Sequence, residues 1–243
     1  MPPLSKDWNR HVQQTEQLAA TPGFRRLRNR ILERARLTRG DAVLDVGAGT
    51  GLLALGLAPS VREVRAVDIS PAMTSYLRTR AEELGLQNVD PITATAIDLP
   101  LPDRSVTVVV SNYVYHHLSD ADKQRGLAEA FRVLLPGGRI VIGDMMFRPQ
   151  LGDRRGRRVI ADKVRTLLRK GPAGLVRLIK NAVRFAAGEW EQPADAAWWR
   201  HALERIGFVD IEVQPLEHEG GIISGRRPLR PLRPRRHLRV ERS

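Results

Sequence analysis

The sequence predicts a doubly wound α/β fold: about seven strands, mostly parallel with an antiparallel edge strand, plus a helical insert between the fifth and sixth strands. Three observations predict it. Between residues 41 and 147, apolar strand-like runs alternate with helical patterns five times, the signature of a parallel sheet covered on both faces. The 243 residues, 42% of them hydrophobic, are enough for one sizeable core with an added lobe. Near the C-terminus, "VDIEVQP" and "EGGIISGRR" lie close together, so they read as an antiparallel pair at one sheet edge.

The elements follow in order. Residues 1–40 read as a helical cap, because "GFRRLRNRILERARL" repeats Phe24, Leu27, Ile31, Leu32 and Ala35 at helical spacing. Residues 41–147 form the core. "AVLDVG" is its first strand, and a helix is expected from about Gly51 through "LLALGLA". "VREVRAVDIS" is the second strand, and Ser70 and Pro71 open the next helix as N-cap and first residue. "NVDPITAT" is a third strand placed at an edge by Pro91, which cannot donate to a central ladder. "SVTVVVSNYV" is the fourth strand. Ser119 caps the helix after it, Pro136-Gly137-Gly138 is expected to stop that helix, and "RIVIGDMMF" is the fifth strand. Residues 148–192 read as a basic helical insert or lid, "RRVIADKVRTLLRK" and "GLVRLIKNAVRF" parted by Gly171-Pro172. A helix and the edge strands fill 193–227, and 228–243 is an Arg/Pro-rich tail expected to be disordered.

Charge and composition narrow the function classes. The chain has no cysteine, which excludes disulfides, thiolate metal sites and a cysteine nucleophile. His11, His201, His218 and His237 lack metal-ligand spacing, so no metal is expected. The first residues, "MPPLSKDWNRHVQQ", have no apolar core segment and do not read as a secretion signal, which makes a cytoplasmic location the default. The net charge of +13 sits in two places: twelve Lys/Arg against two Asp in 148–184, and eight Arg against one Glu in 226–243. The insert is read first as a substrate lid. Second comes peripheral contact with an anionic membrane at its inner face, and third a track for nucleic-acid phosphates.

The glycines of "VLDVGAGTGLLALGLA" carry the chemistry. Gly47, Gly49 and Gly51 lie where the first strand hands over, at the carboxyl end where ligands bind in open α/β sheets. Position 52 is leucine, so the G-x-G-x-x-G dinucleotide fingerprint is incomplete, and no Lys-Ser/Thr pair follows to make a phosphate loop. Asp68 ends the second strand, 21 residues after Gly47, and suits the two hydroxyls of a ribose. An adenosine without phosphate in the glycine turn satisfies both observations.

Four segments, "LDVGAGTG" (44–51), "VDIS" (67–70), "IDLPLPDRSVTVVVSNYVYHHL" (97–118) and "FRVLLPGGRIVIGD" (131–144), resemble the class I S-adenosylmethionine (SAM)-dependent methyltransferases in the right order. The closest flavour is the small-molecule branch that includes ubiquinone/menaquinone-biosynthesis methyltransferases. The resemblance implies a Rossmann-like core, SAM as cofactor and S-adenosyl-L-homocysteine as product. It implies that Asp45, Gly47, Ala48, Gly49 and Gly51 hold the methionine portion, that Asp68 binds ribose, and that Ile69 packs on adenine. Thr95, Ala96 and Ile97 line the far side of the ring, and Ser111 and Asn112 lie near the sulfonium. Thr95 departs from the family, which often has an acid there to accept the adenine amino group; Thr107 replaces another common acid.

SAM carries an activated methyl group, so the protein must chiefly align the acceptor and exclude water, with a base only if the acceptor is protonated. His116 and His117 are the base candidates, with helix capping as their competing role. Tyr113 and Tyr115 are candidates for the wall of the acceptor pocket, and Asp144 either faces it or caps a helix. The expected activity is methyl transfer by in-line displacement to a small, apolar acceptor. Two alternatives stay open: an RNA methyltransferase using the basic insert and tail, and a SAM-binding interaction protein without catalysis. The acceptor and the oligomeric state are not legible.

Overall fold

In a computed structural model, which describes residues 8–147, 154–169, 171–172, 174–176, 178–180, 192–216 and 219–230, the strands form one seven-stranded sheet. β1 (Ala42–Val46), β2 (Glu63–Asp68), β3 (Val89–Thr93), β4 (Val106–Asn112) and β5 (Leu134–Met145) all run parallel. β6 (Val209–Pro215) and β7 (Gly220–Arg226) complete the order β3-β2-β1-β4-β5-β7-β6. β7 is antiparallel to both β5 and β6, so the pair expected from the C-terminal segments lies at one edge, with β6 outermost. β3, carrying Pro91, is the opposite edge. The order reverses between β1 and β4, and the crevice beyond their carboxyl ends is the switch point where such sheets bind ligands.

Every residue of β1 is buried, because helices cover both sheet faces. On one side α2 (Pro22–Ala35), α3 (Ala54–Leu57) and α4 (Pro71–Glu83) bury Leu27, Ile31, Ala54, Leu57 and Leu77 against Val43, Val64 and Val108. On the other, α5 (Asp120–Val133) and α7 (Ala196–Ile206) bury Leu127, Ala130, Trp199 and Leu203 against Leu44, Val109 and Ile140. The caps read from sequence form: Ser70 Oγ accepts from Met73 N, and Ser119 Oγ from Asp122 N. The third cap, Asp195, accepts from Trp198 N and starts α7.

Two expectations need correction. The helix expected from Gly51 is a single turn, α3, followed by a 3-10 turn at Ala58–Ser60. Pro59, with no N–H to give, prevents a longer helix. The helix α5 stops at Val133, not at the Pro-Gly-Gly sequence. Pro136 would clash with the carbonyl four residues earlier, so β5 begins at Leu134 and contains Pro136–Gly138. That stretch is accommodated by a register shift, Val106 facing Leu134 and Val108 facing Arg139.

Thr107, where the family's acid is absent, is a structural hub. Its hydroxyl donates to Asp41 Oδ1 at 2.7 Å and accepts from Ala42 N, while Arg139 pairs with Asp41 at 2.9 Å. Asp41 is held below the ordinary carboxylate range by the Thr107 and Arg139 bonds, which outweigh its desolvation. In the insert, α6 (Arg154–Leu168) is helical as expected, as are the described residues 172, 174–176 and 178–180. Arg177, Arg184, Trp190, His218 and the tail beyond Arg230 lie outside the described residues. No described helix is long and apolar enough to cross a membrane.

Candidate functional site

The turn after β1 is held by carboxylates rather than by a helix end. Gly47 and Ala48 both donate to Val67 O, folding the turn onto the end of β2. Asp68 then clamps it: Oδ2 accepts from Gly49 N at 2.8 Å and Oδ1 from Ser70 N at 2.9 Å. The carboxylate keeps lone pairs for a further donor on each oxygen. Burial raises its pKa. Gly47, Gly49 and Gly51 all have positive φ, as the turn requires. At Gly47 the requirement is also spatial, since a Cβ there would stand 2.2 Å from the Val114 side chain.

Asp45 sits under the turn, 1% exposed, with Oδ2 accepting from Ala54 N. Among the described residues its Oδ1 has no hydrogen-bond partner, and neither does the buried Oδ1 of Asn112 at the end of β4. Burial, and then the charge of Asp68, raise the Asp45 pKa to about 7. Two carboxylates whose charged forms are disfavoured, and two orphaned acceptor oxygens, call for a cationic hydrogen-bond donor. Ile69, beside Asp68, leaves 41% of itself exposed, an apolar surface fit for a flat ring.

Other expected residues take more modest places. Ser111 is fully buried and its hydroxyl donates to Val46 O at 2.8 Å, so it braces β4 on β1 instead of offering its side chain to a ligand. Thr95 opens the turn carrying Ala96 and Ile97, all half-buried, with Ile97 N donating to the Thr95 hydroxyl at 3.4 Å.

Across the switch point from this turn lie the ends of β4 and β5 and the N-terminal cap. His116 is 3% exposed; its Nδ1 lies 2.5 Å from Asp144 Oδ1, and its backbone N donates to Asp144 Oδ2 at 3.0 Å. Met145 N also donates to Asp144 Oδ1, so three contacts fix that carboxylate at the end of β5. Asp144 therefore faces His116 and also caps the 3-10 turn Tyr115–His117 through the His116 backbone amide. Tyr113, forced to φ 58°, stacks on Phe24 of α2 at 4.6 Å and meets the His116 ring edge-on at 6.0 Å. Burial, then the carboxylates of Glu219 and Asp144, push the Tyr113 phenol up, so the ring keeps its proton and can donate. Tyr115 is no wall: it is fully buried in the core against Trp199. His117 is half-buried, 3.9 Å from the His116 ring, and Trp8 covers it at 4.8 Å.

Sequence reasoning missed Asn9 and Thr15. Asn9 Oδ1 accepts from Ser70 Oγ and Ala72 N, and the Thr15 methyl approaches Gly49, so the cap (Trp8–His11 and α1, Val12–Ala19) crosses the mouth of the turn. A lone asparagine in a polar segment carries no periodic signal. Among the described residues, no cluster of His, Asp or Glu could hold a metal ion.

A glycine turn at the switch point, a carboxylate ending β2 and an orphaned carboxylate beneath make an arrangement able to hold a cationic adenosine-type cofactor. Residues 43–138 match the family described as "Methyltransferase domain". The chain is 32% identical over 199 residues to a demethylmenaquinone methyltransferase of Tropheryma whipplei (strain Twist), covering 80% of this chain and 76% of that one. It is 39% identical over 114 residues to an uncharacterised methyltransferase of Bacillus subtilis (strain 168), covering 47% of this chain. It spans about half of that relative, 44% of its length. In fold it is similar to the crystal structure of a SAM-dependent methyltransferase from Aquifex aeolicus, with TM-score 0.63, 19% identity and coverage of 89% and 98% of the two chains. The chain belongs to the class I SAM-dependent methyltransferases.

Proposed function

We propose that this chain binds SAM at the β1–β2 turn and transfers its methyl group to a small, apolar acceptor held against Tyr113 and Phe24. The observation that carries the proposal is the Asp45 carboxylate, buried and half-bonded beside the Asp68 clamp. An α-ammonium supplies the donor that Asp45 Oδ1 and Asn112 Oδ1 lack, and Asp68 takes the ribose hydroxyls. Ile69 and the Thr95–Ile97 turn flank the adenine. When bound, SAM supplies a methyl group already activated on sulfur. The chain's own work is to hold that group in line with the acceptor and to keep water out, for which Trp8, Asn9 and Thr15 close the mouth.

Asp45 gives this reading a pH signature. Its folded-state pKa is raised, so its protonated form favours the free protein; that stability is full below the unfolded value of 3.8 and is lost as pH rises towards about 7. SAM binding needs the charged form. The affinity for SAM, measured by calorimetry, is therefore expected to fall about tenfold per pH unit below 7 and to level off above it. A flat profile, or no binding of SAM or its demethylated product, rejects the assignment.

The His116–Asp144 pair serves an acceptor that must lose a proton. With Asp144 accepting from Nδ1–H, the Nε2 lone pair of His116 is left to take it. Asp144 is a positioning residue in this scheme. Asp144→Asn is expected to lower kcat about 100-fold, with a reduced demethylmenaquinone as acceptor probe, and to shift the pH–rate profile while leaving SAM affinity unchanged. Equal activity of the variant would reduce the pair to a structural tie.

The insert is read as the lid on this acceptor. Ile160, Leu168, Leu175, Val176 and Ile179 are exposed there among Arg158, Arg165, Arg169 and Lys180, which supports contact with an anionic membrane surface. Cosedimentation with anionic vesicles tests that extension.

A further inference from the structure

We propose that the groove beside α2 is a nucleic-acid surface that holds the phosphate backbone of a single strand without reading its sequence. α2 turns Leu27, Ile31 and Ala35 into the core. Its flank towards the sheet edge carries Arg26, Arg30 and Arg34, four residues apart and so stacked about 6 Å apart along the helix axis. Between this flank and strands β6 and β7 runs an open groove of about 510 Å³, which Arg36 extends beyond the end of the helix.

Three of the four cations in this groove are uncompensated. Arg34 pairs with Glu212 and reaches Gln214, but Arg26, Arg30 and Arg36 have no side-chain partner among the described residues, and Glu33 is the only carboxylate in the lining. Like charges at i, i+4 repel along a helix, so the row is a cost to the free protein. Arg36 adds to it, holding φ 46° at a helix C-terminus where glycine is the favoured residue. A polyanion relieves the repulsion.

The lining chooses among polyanions. Arg26, Asn29, Arg30, Glu33 and Arg36 are all exposed, so a small ligand would remain open to water on one side, unlike ligands in enclosed pockets. A strand can lay its phosphates in the groove and leave its bases outside. Ile222 is the one apolar lining residue and is 3% exposed, which leaves nothing for the apolar centre of a protein–protein contact and nothing to insert into a bilayer. No aromatic ring lines the groove, so base stacking is absent and contact is confined to the backbone. Arg226 adds a further cation near the groove's end: it faces Arg139 in register, and Arg139, paired with Asp41, bonds Arg36 O.

The test is fluorescence anisotropy of the full chain with a labelled oligouridylate over a range of salt concentrations. Replacing Arg26, Arg30 and Arg36 together with Gln is expected to weaken binding at least about tenfold at low salt. It should also reduce the slope of log K against log salt by about 2, at about 0.7 per phosphate contact. The exposed triple Arg157→Gln, Arg158→Gln, Arg165→Gln in α6 serves as the charge-matched control and is expected to change the slope less. A groove variant with wild-type affinity and slope overturns the proposal. So does groove-dependent binding of anionic vesicles or a polyglutamate peptide that equals or exceeds binding of the RNA. SAM calorimetry on the same variants is expected to match the wild type, which separates failure of the groove from failure of the cofactor site.

Discussion

Replacing Asp68 with alanine is expected to weaken SAM binding about a hundredfold or more, the loss of two charge-assisted hydrogen bonds at about 1.5–3 kcal/mol each. The same substitution strips Gly49 N and Ser70 N of their acceptor, so the glycine turn loses its clamp as well as its ligand contact. Asp68→Asn separates the two effects. The amide oxygen can still accept one of the backbone N–H groups, but the charge and the second acceptor are gone. Calorimetry on both variants, with thermal melts to show that they fold, reads the difference. Unchanged affinity in a folded Asp68→Ala protein would remove Asp68 from the cofactor site.

Gly47→Ala is expected to be strongly destabilising. At φ 69° an alanine costs about 1–2 kcal/mol. Its Cβ would also lie 2.2 and 2.7 Å from the two Val114 methyls and 3.0 Å from Val114 Cβ. A β-branched side chain whose own Cβ is in the way cannot rotate clear, so overpacking adds about 1–3 kcal/mol. A sum near 3 kcal/mol lowers the melting temperature by about 6–12 °C for a chain of this size. Val114 lies two residues before His116, so the strain also reaches the His116–Asp144 pair. Gly49→Ala is the comparison, because its Cβ would meet only the Thr15 methyl, at an ordinary 3.5 Å. A smaller loss at Gly47 than at Gly49 would contradict this account.

Much of this was legible in the sequence because the signals were local. Strand periodicity, the Ser70 and Ser119 caps, and the edge placement of Pro91 each rest on a few neighbouring residues. The glycine turn and Asp68 were legible as a pair because the second strand of a parallel sheet must end beside the first. What stayed hidden depends on contacts distant in sequence. His116 and Asp144 are 28 residues apart, and only the pairing of β4 with β5 brings them together. Asn9 reaches Ser70 across 61 residues. The arginines of α2 line a groove only because the antiparallel β6–β7 pair, far off in the chain, supplies its other wall. Tyr113 and Tyr115 looked equivalent, but the positive φ at Tyr113 turns one ring towards Phe24 while the other enters the core.

The backbone bond from Gln192 N to His116 O, at 2.7 Å, has a consequence for how such an enzyme changes over time. The segment 148–191 leaves the core three residues after Met145, whose amide is bonded to Asp144, and returns onto the carbonyl of His116. Its described attachment points therefore both lie beside the His116–Asp144 pair. A change in this stretch between relatives would be felt first at that pair, while Asp68 and the turn it clamps are held by bonds from β1, β2 and the residues that follow them.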